Sequence, residues 1–316
     1  MLTALVLDQH TFSWGARTYV MGILNVTPDS FSGDGLMSPS PSPQPPPSPK
    51  FGRGRGSEAG VGEGITSALE QARHFIAAGA DILDVGGEST RPGAEPVDAA
   101  EELARVIPVI HALTAEFPDT LISIDTYKAT VAEAALEAGA HIVNDVWGLR
   151  ADPELAAVVK RFNVPVILMH NRSNPKTAEI RDRLGGRYVG VEYADLLEDV
   201  KRELLESVAI ARAAGIRDEK IILDPGIGFG KTIEQNLELL NRLGEIRALG
   251  YPILLGPSRK SFIGYTLDLP PDQRVEGTAA TISVGITRGA DIIRVHDVLE
   301  MARVAHMTDA IIRPPR

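Results

Sequence analysis

Seven polar side chains, Asn25, Asp125, Asn144, His170, Asp224, Arg294 and His296, stand at or near the ends of short apolar runs. Two carboxylates and an amide aimed into one pocket can pair with the donor edge of a flat, nitrogen-rich heterocycle, since a buried polar group left unpaired is costly. Arg294 and His296 alternate, so on a strand both face the same way and offer two donors to an anion. Gly256-Pro257-Ser258-Arg259-Lys260-Ser261 adds a tight turn with Lys260 to that cluster, in the manner of an anion-binding loop. Asn25 opens a segment with oxygen donors and no sulfur, which suits a hard cation such as Mg2+ held partly by substrate phosphate. Glu88-Ser89-Thr90-Arg91-Pro92-Gly93 forms a second polar loop with a cation at its tip. Taken singly, several of these have plainer readings. Asp125 could cap a helix starting near Thr126, Asp224 before Pro225 could shape a turn, and Asn25 could be a turn residue. Asp125, Asp224 and Asn144 together favour a site.

The elements that must position them follow from the apolar runs, which cover 19–25, 80–88, 121–125, 141–145, 164–170, 221–226, 251–258 and 290–296. Their apolar residues are consecutive rather than alternating, as in a parallel sheet buried on both faces. Between them lie patterns at helical spacing: Ile65, Leu69, Ala72 and Ile76; Leu103, Val106, Ile107, Ile110 and Leu113; Leu196, Val200 and Leu204; Ile233, Leu237 and Leu240; Val298, Met301, Ala302 and Ala305. Eight strands alternating with helices predict an α/β protein, a (β/α)8 TIM barrel with its chemistry at the strand ends. Leu2 to Trp14, broken at Asp8 to His10, predicts a short N-terminal hairpin plugging the barrel base.

A chain of 316 residues suits one such domain, 1–316. Residues 37–62 form an insertion in the first strand-to-helix loop, Pro-rich from Pro39 to Pro49 and then Gly-Arg-Gly-Arg-Gly at 52–56. Little there can pack, which predicts a flexible excursion. With no cysteine, disulfides, thiolate nucleophiles and zinc-thiolate sites are excluded. A net charge of -10 argues against nucleic acid or an anionic membrane as partner. No apolar run approaches the ~18 residues of a membrane span. Met1-Leu2-Thr3-Ala4 lacks a charged leader, so the expected location is the cytoplasm. Gly226, Gly228 and Gly230 are spaced G-x-G-x-G, which is not the dinucleotide fingerprint.

Met-Gly-Ile-Leu-Asn-Val-Thr-Pro-Asp-Ser-Phe-Ser (21–32) and Gly-Ala-Asp-Ile-Leu-Asp-Val-Gly-Gly-Glu-Ser-Thr-Arg-Pro-Gly (79–93) resemble the two signatures of dihydropteroate synthase. Ser-Ile-Asp-Thr, Asn-Asp-Val, Asp-Pro-Gly-Ile-Gly-Phe-Gly-Lys, Gly-Pro-Ser-Arg-Lys-Ser and Arg-Val-His-Asp-Val follow in the family's order. The resemblance implies condensation of 6-hydroxymethyl-7,8-dihydropterin diphosphate with para-aminobenzoate, giving 7,8-dihydropteroate and pyrophosphate for folate. It implies Asp125, Asn144, Asp224 and Lys260 as pterin anchors, with Met169, Phe229 and Gly256 lining the slot. Asn25, Thr90, Arg294 and His296 would hold the diphosphate, with Asn25 on Mg2+. Phe31, Thr90, Arg91, Pro92 and Ser261 would frame the aminobenzoate. The catalytic set it implies is Asp125, Asp224, Lys260, Arg294 and His296. Sulfonamides would occupy the aminobenzoate position, and a homodimer is implied. The order Phe31-Ser32-Gly33-Asp34-Gly35 departs from the family's usual Ser-Asp-Gly-Gly, leaving both Asp29 and Asp34 as the loop carboxylate near the metal. A pterin-dependent corrinoid methyltransferase shares pterin-facing carboxylates but has no diphosphate to hold; a barrel that only binds pterins is the third alternative.

Overall fold

The computed structural model describes residues 2–7, 9–27, 58–90, 94–174, 177–181, 183–188 and 192–313. Strands β1 (Leu5–Leu7) and β2 (His10–Phe12) form an antiparallel hairpin with Leu5 opposite Phe12. Then come β3 (Tyr19–Asn25), β4 (Ile82–Gly86), β5 (Leu121–Asp125), β6 (Ile142–Asp145) and β7 (Val166–Met169). A second antiparallel hairpin, β8 (Ala178–Arg181) and β9 (Gly185–Tyr188), interrupts the series. The barrel resumes with β10 (Ile221–Asp224), β11 (Leu254–Leu255) and β12 (Ile292–Val295). The parallel order is β10-β7-β6-β5-β4-β3-β12-β11. A bridge between Leu223 and Ile253, with Leu223 N donating to Pro252 O at 2.9 Å, brings β10 to the β11 edge and closes the ring.

Helices fill the crossovers: α1 (Glu58–Ala77), α2 (Ala99–Glu116), α3 (Ala129–Glu137), α4 (Leu155–Phe162), α5 (Leu196–Ala213), α6 (Ile233–Asn241), α7 (Leu243–Arg247), α8 (Ser261–Leu267), α9 (Val275–Thr287) and α10 (Val298–Ile312). The expected TIM barrel is therefore observed. Among the described residues no helix is long and apolar enough to cross a membrane.

Why these runs are apolar throughout is visible in two separate cores. Outward residues such as Leu83, Val85, Ile122, Ile124, Val143 and Ile293 pack beneath the helices. Inward residues Met21, Ile82, Leu121, Ile142, Ile167, Ile222, Leu254 and Ile292 form the barrel floor, joined from below by Leu5, Leu7 and Phe12 of the first hairpin. The hairpin thus plugs the base, as the break at residues 8–10 suggested. Each such side chain, fully buried, contributes about 1.5–3 kcal/mol of transfer free energy.

Helix α1 starts earlier than composition suggests. Residues 58–62, assigned from sequence to the flexible insertion, are helical. Gly60 and Gly62 read as loop residues by type, yet they extend the helix that buries Ala68, Ala72 and Phe75. The rest of the insertion lies outside the described residues.

Candidate functional site

Inward positions on a strand recur every second residue. Two residues beyond the apolar floor stand Asp84 after Ile82, Ser123 after Leu121, Asn144 after Ile142 and Met169 after Ile167; Asp224, Gly256 and Arg294 follow Ile222, Leu254 and Ile292. One step toward the C-terminal ends, the apolar layer becomes a largely polar one, with Ile23 after Met21 and Met169 as its apolar members. A layer further come Asn25, Gly86 and Asp125, paired in register across β3, β4 and β5. Gly86 carries no side chain, and Asp125 Oδ2 and Asn25 Oδ1 lie 3.7 and 3.8 Å from where its Cβ would stand.

Arg294 is the hub. Its Nε donates to Asp84 Oδ2 at 2.5 Å and its Nη2 to Asp125 Oδ2 at 2.6 Å, while Asn144 Nδ2 donates to Asp84 Oδ2 at 3.1 Å. Burial works against the guanidinium charge, but Asp84 and Asp125 hold it above its ordinary range. Burial pushes Asp125 up to about 7; Arg294 opposes the rise, and the like charge of Asp84, Glu102 and Asp145 adds to it. Across the barrel, burial also raises Asp224, against the pull of Lys260. Lys260 falls to about 8 through burial, opposed by Asp224. Its Nζ donates to Ile227 O at 2.5 Å and sits 4.5 Å above the Phe229 ring. Gly256 leaves the space between: its Cβ would stand 3.8 Å from Arg294 Cβ and 4.0 Å from Lys260 Nζ.

The loop after β10 is held from behind. Lys231 Nζ donates to Gly226 O at 2.8 Å, to Phe229 O at 3.1 Å and to His170 Nδ1 at 3.0 Å. Burial and the Lys231 charge hold His170 down to about 3, so it is neutral and accepts that bond. Its Nε2 lies 3.1 Å from Glu203 Oε2, at an angle outside that of a hydrogen bond. At Gly226, φ is +68° and a Cβ would collide with the His170 carbonyl, so only glycine fits.

The outcomes for the candidate residues differ. Asp125, Asn144, Met169, Asp224, Gly256, Lys260 and Arg294 come together around the mouth, with Asn25 and Phe229 at its rim. Asp125 does not cap a helix: α3 begins at Ala129, whose N–H goes to Asp152 Oδ2 at 2.8 Å. Asp224 does shape its turn, accepting from Gly226 N at 2.7 Å through one oxygen only. His296 and Arg294 diverge instead of sitting side by side. His296 lies just past β12, with Nδ1 3.0 Å from Ser258 Oγ, while Arg294 reaches toward β4 and β5. His170, although it closes a run, is buried beneath the site against Lys231. Ser261 opens α8 and Thr90 follows β4. Phe31, Arg91, Pro92, Asp29 and Asp34 lie outside the described residues.

Asp84 was missed because it sits inside its apolar run rather than at the end. Its signal was the phase: Ile82 faces the floor, so Asp84 must also face inward. Asp84 Oδ1 and Ser123 Oγ, in register on neighbouring strands, are buried without a hydrogen-bond partner, leaving polar capacity on the floor of the site. As to metal, no group of three or more His, Cys, Asp or Glu among the described residues could hold one.

The pterin binding enzyme family matches residues 55–296 of this chain. A dihydropteroate synthase of Clostridium beijerinckii is 50% identical over 303 residues, covering 96% of this chain and 97% of its own. The chain belongs to the dihydropteroate synthase family. Its members are transferases of folate biosynthesis, so the expected activity is borne out over the corrinoid methyltransferase alternative. Among solved structures, the dihydropteroate synthase of Clostridium difficile, determined in the presence of pteroic acid, superposes with a TM-score of 0.79 at 48% identity, covering 96% of this chain and 99% of that one. The Yersinia pestis dihydropteroate synthase in complex with a sulfonamide drug gives 0.81 at 38% identity, with 98% and 99% covered.

A dihydropteroate synthase with these buried carboxylates should show a particular pH dependence of stability. Asp125 rises from 3.8 to about 7 on folding, so the native state binds more protons than the unfolded chain between those values. Its contribution to stability is complete below about pH 4 and is lost as pH rises through about 7. Asp145, raised to about 6 by burial, adds in the same direction. Thermal unfolding across pH 5–8 is expected to show a flatter dependence in Asp125→Asn than in the natural chain. Parallel slopes would contradict the assignment.

Proposed function

We propose that the polar layer of this barrel binds 6-hydroxymethyl-7,8-dihydropterin diphosphate and that para-aminobenzoate attacks its methylene carbon there. The observation that carries the reading is the Asp84–Arg294–Asp125 cluster at the C-terminal mouth, facing Asp224 and Lys260 across Gly256. Asp125, Asn144, Asp224 and Lys260 hold the pterin edge, with Met169, Phe229 and Gly256 against its faces. Asn25, Thr90, Arg294 and His296 hold the diphosphate. Thr90 and Ser261 frame the aminobenzoate, together with Phe31, Arg91 and Pro92. The amine nitrogen bonds to the methylene carbon as the carbon–oxygen bond breaks; the bonding pair leaves with pyrophosphate and the amine loses a proton. Asp125 and Asp224 stabilise the positive charge that spreads into the ring as pyrophosphate departs. Arg294 and His296 stabilise the leaving oxygens.

Asn25 would hold Mg2+ through its amide oxygen, together with the substrate diphosphate, with Asp29 and Asp34 both open as the loop carboxylate near it. Bound there, the ion neutralises charge on the leaving group. We further propose a homodimer, supported by exposed apolar Met307 and Ile311, four residues apart on α10, beside exposed Val284 on α9.

A pyrophosphate-release assay tests the function. Release is expected only with both substrates, matched by dihydropteroate formed, abolished by EDTA and restored by Mg2+, with the protein sedimenting at twice its chain mass. Pyrophosphate release independent of aminobenzoate, or none at all, would overturn the reading.

A further inference from the structure

The β8–β9 hairpin has no place in the eight-strand pattern, yet its last residue reaches both sides of the barrel mouth. Tyr188 OH donates to Thr90 O at 3.2 Å, in the loop that follows β4. The Tyr188 ring stacks on that of Phe229, in the loop that follows β10, with centroids 6.5 Å apart and planes at 28°. In the strand order, β4 and β10 are four places apart among eight, which puts them on opposite sides of a closed barrel. A side chain that touches both loops therefore spans the mouth. Tyr188 is only 7% exposed, so it is packed there rather than waving in solvent.

The hairpin itself is anchored on a third side. Arg274 Nη2 donates to Leu184 O at 2.9 Å and Tyr265 OH to Gly185 O at 3.4 Å. The Arg187 guanidinium lies 4.6 Å from the Tyr265 ring centroid and also pairs with Glu179 at 2.7 Å. With its turn fixed against α8 and the start of α9, the hairpin reaches the far rim from its open end, through the bond of Tyr188 to the Thr90 carbonyl.

We infer that the β8–β9 hairpin roofs the barrel mouth and that Tyr188 is a positioning residue for the aminobenzoate subsite, holding the loop after β4 against the Phe229 side of the pterin subsite. The inference rests on the proposed reading that puts pterin at Phe229 and aminobenzoate at Thr90. Under it, the second substrate enters a slot with an aromatic wall of Tyr188 and Phe229, which favours a flat aromatic amine and flat mimics of it over branched ones.

Tyr188→Phe keeps the ring and its stacking but removes the bond to Thr90, together with the hydroxyl's interaction with Ser173 in the loop after β7. Loss of one neutral hydrogen bond is expected to raise KM for aminobenzoate about threefold to tenfold, leaving KM for the pterin diphosphate within about twofold. Backbone amides of residues 87–90 should exchange hydrogen faster in the variant without any substrate present. Tyr188→Ala, which also loses the Phe229 contact, should raise both KM values. Unchanged aminobenzoate KM in Tyr188→Phe, an equal rise in both KM values, or unchanged exchange each overturns the inference. The exchange measurement does not depend on which substrate lies where, whereas pterin binding to Asp224→Asn reports on the subsite reading alone, so the two failures are distinguishable.

Discussion

Replacing Arg294 with methionine is expected to lower turnover by about 10^2- to 10^3-fold and to lower the melting temperature at the same time. The guanidinium holds two carboxylates, at 2.5 and 2.6 Å, and Asp84 is fully buried. Methionine has similar reach and no charge. Breaking a buried pair by removing one partner costs about 3–5 kcal/mol. Asp125, already raised to about 7, will take up a proton when its cation goes, so the loss should fall near the lower end of that range. At roughly 2–4 °C per kcal/mol, the midpoint should drop by roughly 6–12 °C. The turnover loss has a separate origin, the missing donor where pyrophosphate charge develops, for which losses of about 10^2 to 10^3 are usual. Adding Asp125→Asn separates the two. At pH 8, above the range in which Asp125 binds a proton unaided, the double variant should regain part of the melting temperature, because asparagine is neutral beside Asp84 without taking up a proton, and none of the turnover. A single variant near natural stability and rate, or a double variant with restored turnover, would contradict the account.

Much of this site was legible because a barrel maps chain position onto place. A polar residue near the end of an apolar run stands toward the C-terminal end of its strand, so Asp125, Asn144, Asp224 and Asn25 could be placed from sequence. Asp84 escaped because strand ends were read and strand phase was not; the floor residue Ile82 carries that information. His170 ends a run and still faces Lys231, because its orientation depends on a lysine 61 positions away, which no local pattern encodes. The divergence of Arg294 and His296 has the same kind of cause: the strand stops at Val295, so alternation no longer applies at residue 296. The β8–β9 hairpin was not anticipated either. Its segments are short and half-exposed, Ala178–Arg181 and Gly185–Tyr188, with mixed polar composition in place of an apolar run.

The second large effect is expected at Asp224. Its side chain is 5% exposed at the end of β10, and one oxygen is already engaged with Gly226 N at 2.7 Å. The other remains for a ligand donor. Asparagine in place of aspartate preserves shape and keeps an oxygen to bond Gly226, so the loop should hold its form. What changes is the ligand-facing group: an amide NH2 would face a pterin donor where a carboxylate oxygen would accept from it. A hydrogen bond to a charged group contributes about 1.5–3 kcal/mol, equivalent to about 10- to 150-fold in affinity. Asp224 also supports the Lys260 charge against burial, so without that carboxylate Lys260 should lose charge and hold the ligand less well. The central claim, that the polar layer above the apolar floor is the pterin site, is tested most directly by calorimetric titration of the natural chain and Asp224→Asn with the pterin diphosphate. The account predicts saturable binding to the natural chain and binding at least about tenfold weaker in the variant, with the melting temperature of the free protein little changed. Equal affinity of the two proteins would contradict it.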